Sequence, residues 1–312
     1  CTSSATRMTP GCAENGSETL ALTSVSTVRA VVAMNLGLAC LFVPTPLSFV
    51  LAYPFGQTSY SAAAFLFAFT HNALALTGTW VIIRFLLKQR PDTYGLAGPV
   101  LPLRWAPTAI IVPAVCIGLI TLATPGEWLV PEVYWERSEV VNMALRVLYF
   151  PVVDVVIFHG LMYTLMKTWL SPWWAATFTG TVFATAHLFL SSYGYRFTFS
   201  WTPSGTVQVI LTSTALATFL AAVVELTGSV WNTAWCHVVW RLVLALTYMD
   251  TVQGDNILFS YVITDDNRLL TGHDGRFGDS LLTVPVLIAC AGLLMWLARR
   301  RRARPQEVMT LD

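Results

Sequence analysis

Charge is scarce in this sequence. Its 18 basic and 17 acidic residues make up 11% of 312 positions, while 55% are hydrophobic. Soluble domains carry about a quarter charged residues, which excludes a water-soluble fold that would have to hide so much apolar surface. A bilayer removes the difficulty, because helices that satisfy their own backbone hydrogen bonds can face lipid on every side. A basic block interleaved with aromatics is also lacking, so nucleic acid is not an expected partner. There is no CxxC pair and no disulfide framework. Of the six cysteines, Cys40, Cys116, Cys236 and Cys290 lie in apolar segments at unrelated spacings, as small core residues do. Only Cys1 and Cys12 are left to pair. Cys1 stands where an initiator Met is expected, which suggests a processed or incomplete chain. A lipidated Cys1 on the outer face would conflict with the topology below. Repeats, low-complexity runs and a soluble domain are absent, and the longest hydrophilic stretch, about 250–280, is too short for its own core.

What is present is a series of apolar runs. A hydrocarbon core needs roughly 20 apolar residues per helix. Spans are expected near 27–53, 60–87, 106–124, 140–168, 172–191, 206–227, 229–249 and 281–298. Pro44 and Pro46 should kink the first or end it early. The fourth is longer than a bilayer requires and should tilt or protrude. The expected fold class is all-α, a polytopic bundle of about eight transmembrane helices. Residues 1–25 form a short polar lead, 26–298 a single membrane domain, and 299–312 a basic cytoplasmic tail containing Arg299, Arg300, Arg301, Arg302 and Arg304. An inside C-terminus and an even span count put the N-terminus inside too. Arg84, Lys88, Arg90 and Arg104 then fall in one inside loop and Lys167 in another. Outside loops take Glu127, Glu132, Glu136 and Glu139, then Asp250, Asp255, Asp265, Asp266, Asp274 and Asp279. Trp105, Trp128, Trp173 and Trp174 lie near span ends, as interfacial anchors do.

Chemistry is expected from ionisable residues placed in mid-span. Each costs at least about 2.5 kcal/mol facing lipid, so such groups turn inward and usually serve a function. They are Asp154 and His159 in the fourth span, His187 in the fifth, and His237 with Arg241 in the seventh. At 100° per helical residue, Asp154 and His159 should point about 140° apart, whereas His237 and Arg241, four apart, share a face. Phe183, four before His187, should pack on the imidazole. Three readings stay open. A buried carboxylate could activate water while histidines hold the oxyanion and protonate the leaving amine, giving peptide hydrolysis. Asp154, His187, His237 and His159 could bind a divalent metal, although no local motif such as HExxH occurs. Or the groups could form a satisfied network joining helices without chemistry. Elsewhere, Glu225 near a span end reads as interfacial rather than catalytic, and His71 as an interhelical hydrogen-bonder. His273 receives no role.

The order and spacing of these residues resemble the CAAX-protease and bacteriocin-processing (CPBP) family of intramembrane glutamic proteases. That family shows a glutamate pair before an F-R-G step, then FxxxH, then HxxxN or HxxxD. The chain reads Asp154-Val155-Val156-Ile157-Phe158-His159-Gly160, then Phe183-Ala184-Thr185-Ala186-His187, then His237-Val238-Val239-Trp240-Arg241. Gly228-Ser229-Val230-Trp231 also resembles the family's approach to the last helix, and the likeness covers about residues 140–245. It implies a CPBP-like core at about 140–249, no cofactor and no metal. It also implies hydrolysis in or beside the membrane with Asp154 as base, His187 and His237 as polarising groups, and Arg241 and His159 nearby. Asp154 replaces the first glutamate, Val155 the second, His159 the arginine and Arg241 the last amide or acid. Asp is one methylene shorter than Glu, about 1.5 Å less reach, and misplacement of that size can cost a factor near 100 in rate. The resemblance therefore implies two functions: an endopeptidase acting on a membrane-associated peptide or protein, or a catalytically silent scaffold binding a partner. The expected location is the plasma (inner) membrane of a bacterium, with the lipid bilayer as constant partner and both termini cytoplasmic.

Overall fold

The computed structural model describes residues 25–56, 60–97, 102–130, 137–192, 203–250, 259–264, 268–272 and 277–303. Cys1, Cys12 and His273 lie outside the described residues. The bundle opens with α1 (Thr27–Phe42), whose N-cap Ser26 accepts from the backbone N–H of Arg29 at 3.4 Å. It stops at Val43, and α2 (Pro44–Gly56) starts on Pro44, an interruption at the prolines inside one apolar helical stretch, Thr27–Pro54. Then follow α3 (Tyr60–Val81), continued by a π turn (Ile82–Leu86), a 3-10 turn (Pro91–Tyr94) and α4 (Pro102–Ala123). The fourth span is compound: α5 (Arg137–Asp154), a π-helix (Val155–Met162) and α6 (Tyr163–Met166). Beyond it come α7 (Pro172–Ser192), α8 (Pro203–Thr227), α9 (Val230–Leu246), the short α10 (Arg268–Thr271) and α11 (Thr283–Ala303).

Among the described residues six helical segments are long and apolar enough to cross a membrane: Thr27–Pro54, Ala62–Leu86, Trp105–Ala123, Val147–Met166, Gly205–Thr227 and Thr283–Ala303. The protein is a polytopic membrane protein. The two remaining expected spans are helices of a different kind. The 21-residue α7 is diluted by Thr177, Thr179, Thr181, Thr185 and His187. Three of those hydroxyls donate back to carbonyls of their own helix, Thr177 to Trp173, Thr181 to Thr177 and Thr185 to Thr181, at 2.9–3.1 Å, which meets their needs without water. The 17 residues of α9 rise only about 25 Å at 1.5 Å each, short of a hydrocarbon core. The expected seventh span ran to 249, but the chain leaves the helix after Leu246 and becomes a strand.

That strand belongs to a small sheet the apolar pattern did not foretell. β1 (Gly126–Leu129) pairs antiparallel with β3 (Phe259–Ile263), which pairs parallel with β2 (Thr247–Asp250). Trp128 faces Tyr261 across the ladder with ring centroids 5.0 Å apart, and the Tyr261 hydroxyl donates to the Thr124 carbonyl at 2.7 Å. A Cβ at Gly126 would lie 2.5 Å from the Val262 carbonyl oxygen, so the close pairing needs glycine. The sheet holds the loop after α4 and the loop after α9 at one end of the bundle.

The fourth span and α8 are the most buried of the six. Every residue from Val155 to Met162 is buried, and α8 and α9 pack on this segment. Gly160 makes the approach possible: a Cβ there would meet Val230 Cγ1 at 3.3 Å and the Tyr94 carbonyl oxygen at 3.4 Å. The start of α9 is pinned to the 3-10 turn by Val230 N–H to Gly95 O at 3.2 Å and by Trp231 Nε1–H to Leu96 O at 2.7 Å.

Candidate functional site: a carboxylate and three histidines around one phenylalanine

Asp154 is the last α-helical residue before the π-helix, and His159 lies within it. This overturns the expected 140° divergence. A π turn closes i to i+5 and carries an extra residue, so positions five apart draw toward one face. Pro151, one turn upstream, has already interrupted the α ladder by removing a donor.

Phe183, on α7, is the hub. Its ring centroid lies 4.1 Å from that of His187, 6.0 Å from His237, 6.1 Å from His159 and 5.2 Å from Phe158. The FxxxH spacing thus puts the ring on the imidazole as expected, and the same ring reaches histidines from two other helical segments. Asp154 Oδ2 approaches His187 Nε2 at 3.2 Å, an ion-pairing distance without the alignment of a hydrogen bond. His187 Nδ1 is 3.1 Å from the Phe183 carbonyl oxygen, which can only accept. The Nδ1 proton is therefore spoken for, and Nε2 of a neutral ring would turn a lone pair on the carboxylate. One further proton, on Nε2 or on the carboxyl, is needed to make the pair attractive.

The other members differ in surroundings. His159 is fully buried and donates Nε2–H to the Ala217 carbonyl of α8 at 3.0 Å, leaving Nδ1 without a protein partner. His237, 1% exposed, also has an unpartnered Nδ1. Arg241, half-buried one turn further along α9, lies with His187 and His237 inside the electrostatic reach of Asp154. All five sequence-derived residues thus belong to one neighbourhood: Asp154 and His187 meet, His237 and His159 flank them across Phe183, and Arg241 contributes at longer range. Among the described residues no three His, Cys, Asp or Glu side chains come close enough together to hold a metal ion.

Outside this cluster, His71 behaves as expected, donating Nε2–H from α3 to the Leu41 carbonyl of α1 at 3.1 Å. Glu225, at a span end, is buried within the protein: its side chain is 2% exposed, and it accepts from the Tyr163 hydroxyl and Lys167 Nζ at 2.7 Å each and from Arg302 Nη2. α11 continues through Ala303, with Arg300, Arg301 and Arg302 in its last turn. Sequence reasoning missed this site because its partners lie 62, 58 and 77 residues from Glu225. The one signal was that Glu225, Lys167 and the arginine run all fall at span ends on the same expected side.

A membrane bundle with a carboxylate–histidine cluster carried by α5, the π-helix, α7 and α9 defines the class. Residues 136–243 match the family model Rce1-like, Type II CAAX prenyl endopeptidase Rce1-like. The matched stretch runs from α5 through most of α9, contains all five cluster residues, and agrees with the CPBP resemblance carried by their spacing. Comparison with curated proteins and with solved structures finds no match.

Proposed function

We propose that the protein is an endopeptidase that cleaves peptide bonds in or beside the membrane with a carboxylate-activated water. The observation that carries this reading is the pairing of buried Asp154 with half-buried His187 at 3.2 Å inside the Rce1-like stretch. Asp154 takes a proton from water, and the hydroxide adds to the scissile carbonyl carbon. His237 and Arg241, positive or proton-donating groups in a region shielded from bulk water, stabilise the oxyanion, where such groups act strongly. The proton on Asp154 or His187 then passes to the leaving amine, and the C–N bond breaks. His159 braces the π-helix through Ala217 and touches no reacting atom. The site residues sit in a single membrane domain, 26–298, with both termini on the cytoplasmic face of a bacterial plasma membrane.

A second reading is favoured by the substitutions themselves. Arg241 lies where it draws on Asp154, and a carboxylate neutralised by Arg241 and His187 joins helices without being a strong base. That protein would be a silent scaffold for a membrane partner. Reconstituted protein incubated with membrane-anchored peptides and read by mass spectrometry separates the two. Product that appears with wild type and disappears with Asp154→Asn supports the endopeptidase; its absence from wild type across such substrates refutes it.

A further inference from the structure

The π-helix carries the burden of the site, yet π geometry is rare and persists where surrounding contacts impose it. Two contacts with α8 hold this one. His159 bonds Ala217 within the π-helix, and eight residues further along α8 the Glu225 carboxylate gathers Tyr163 and Lys167, the residues just after the π-helix. The third donor to Glu225 comes from elsewhere: Arg302, in the last turn of α11, while neighbouring Arg301 reaches the Leu226 carbonyl at 3.4 Å. A carboxylate so covered needs its donors, and hydrogen bonds to charged groups are among the stronger ones. Arg302 is the most open of them, with its side chain 58% exposed against 30% for Lys167 and 2% for Glu225.

We propose that Glu225 is a positioning residue for the Asp154–His159 segment, and that Arg302 at the end of α11 completes it, so that the C-terminal helix fixes the register of the π-helix. The link to reaction rests on the endopeptidase reading; the link to π-helix order does not. Glu225 is too far along α8 from the Asp154–His187 pair to touch substrate, and it acts through Tyr163 and Lys167.

The test is hydrogen–deuterium exchange on the full chain in lipid nanodiscs, following peptides that cover 155–166. Arg302→Ala, at an exposed helix end, leaves the bundle folded and should speed exchange there by about tenfold or more, as loss of a charge-assisted bond implies. Glu225→Gln should act in the same segment. Arg302→Lys, which still offers a cation, should stay within about twofold of wild type. Arg300→Ala, whose guanidinium lies 3.9 Å over the Trp296 ring, is the control and should leave 155–166 unchanged. Unchanged exchange in Arg302→Ala, or equal acceleration in Arg300→Ala, overturns the proposal. If wild type cleaves peptides, Arg302→Ala should lower kcat with KM unchanged. If wild type cleaves nothing, the endopeptidase reading falls while the exchange result still decides the role of Glu225.

Discussion

Asp154→Asn separates chemistry from packing, because the amide keeps the size of the carboxylate and loses its charge and basicity. At 3.2 Å the gross attraction to a protonated His187 is about 5 kcal/mol for an effective dielectric near 20. Little of that should appear as lost stability. His187 is 22% exposed, and the pair is not aligned as a hydrogen bond. A loss of about 1–2 kcal/mol is expected, the scale of one imperfect polar contact. Turnover should fall much further, by roughly 10²–10⁴-fold, the contribution of a positioned general base. The assay pairs peptide-product quantification with a thermal melt of the same nanodisc preparation. A variant that melts like wild type and still cleaves at wild-type rate would refute the assignment of Asp154 as the base. One that unfolds with no wild-type activity to lose would move the residue to the scaffold reading.

The remaining predictions bear on the same core. His187→Ala and His237→Ala should each lose most cleavage, about 10²-fold or more, measured as kcat/KM, since each polarises the carbonyl or the water. Chelators should leave the rate of wild type unchanged, and inhibition reversed by added zinc would restore the metal reading. Gly180→Ala should destabilise the bundle by about 1–3 kcal/mol in a thermal or denaturant melt, because the new Cβ would stand 2.8 Å from the Thr214 backbone oxygen where α7 and α8 touch. The combined variant Asp154→Glu, Val155→Glu, His159→Arg and Arg241→Asn restores the family residues, and cleavage by it but not by wild type, read in the same mass-spectrometric assay, would mark a retired enzyme.

How much of this was legible in the sequence follows from the range over which each signal acts. Span positions could be read because a run of apolar side chains is a local property that the bilayer enforces. That Asp154, His187 and His237 share one neighbourhood could be expected because charge in mid-span has nowhere to go but inward, and family spacing named the helices that supply it. The π-helix could not be read. Every side chain from Val155 to Met162 is buried, and a segment apolar on all sides has no stripe whose period could distinguish π from α. Applying 100° per residue there gave the wrong relation between Asp154 and His159. The sheet was invisible for another reason: strands of four and five residues carry little pattern, and Gly126 meets Ile263 only after α5 to α9 have been laid down. Glu225 combines both problems. Its position at a span end was evident, but burial came from Tyr163, Lys167 and Arg302, three residues on two other helices. A carboxylate at a span end is therefore exposed only if no cation from another helix ends beside it. In this chain Lys167 and Arg302, each at the end of another helix, meet Glu225 there and bury it.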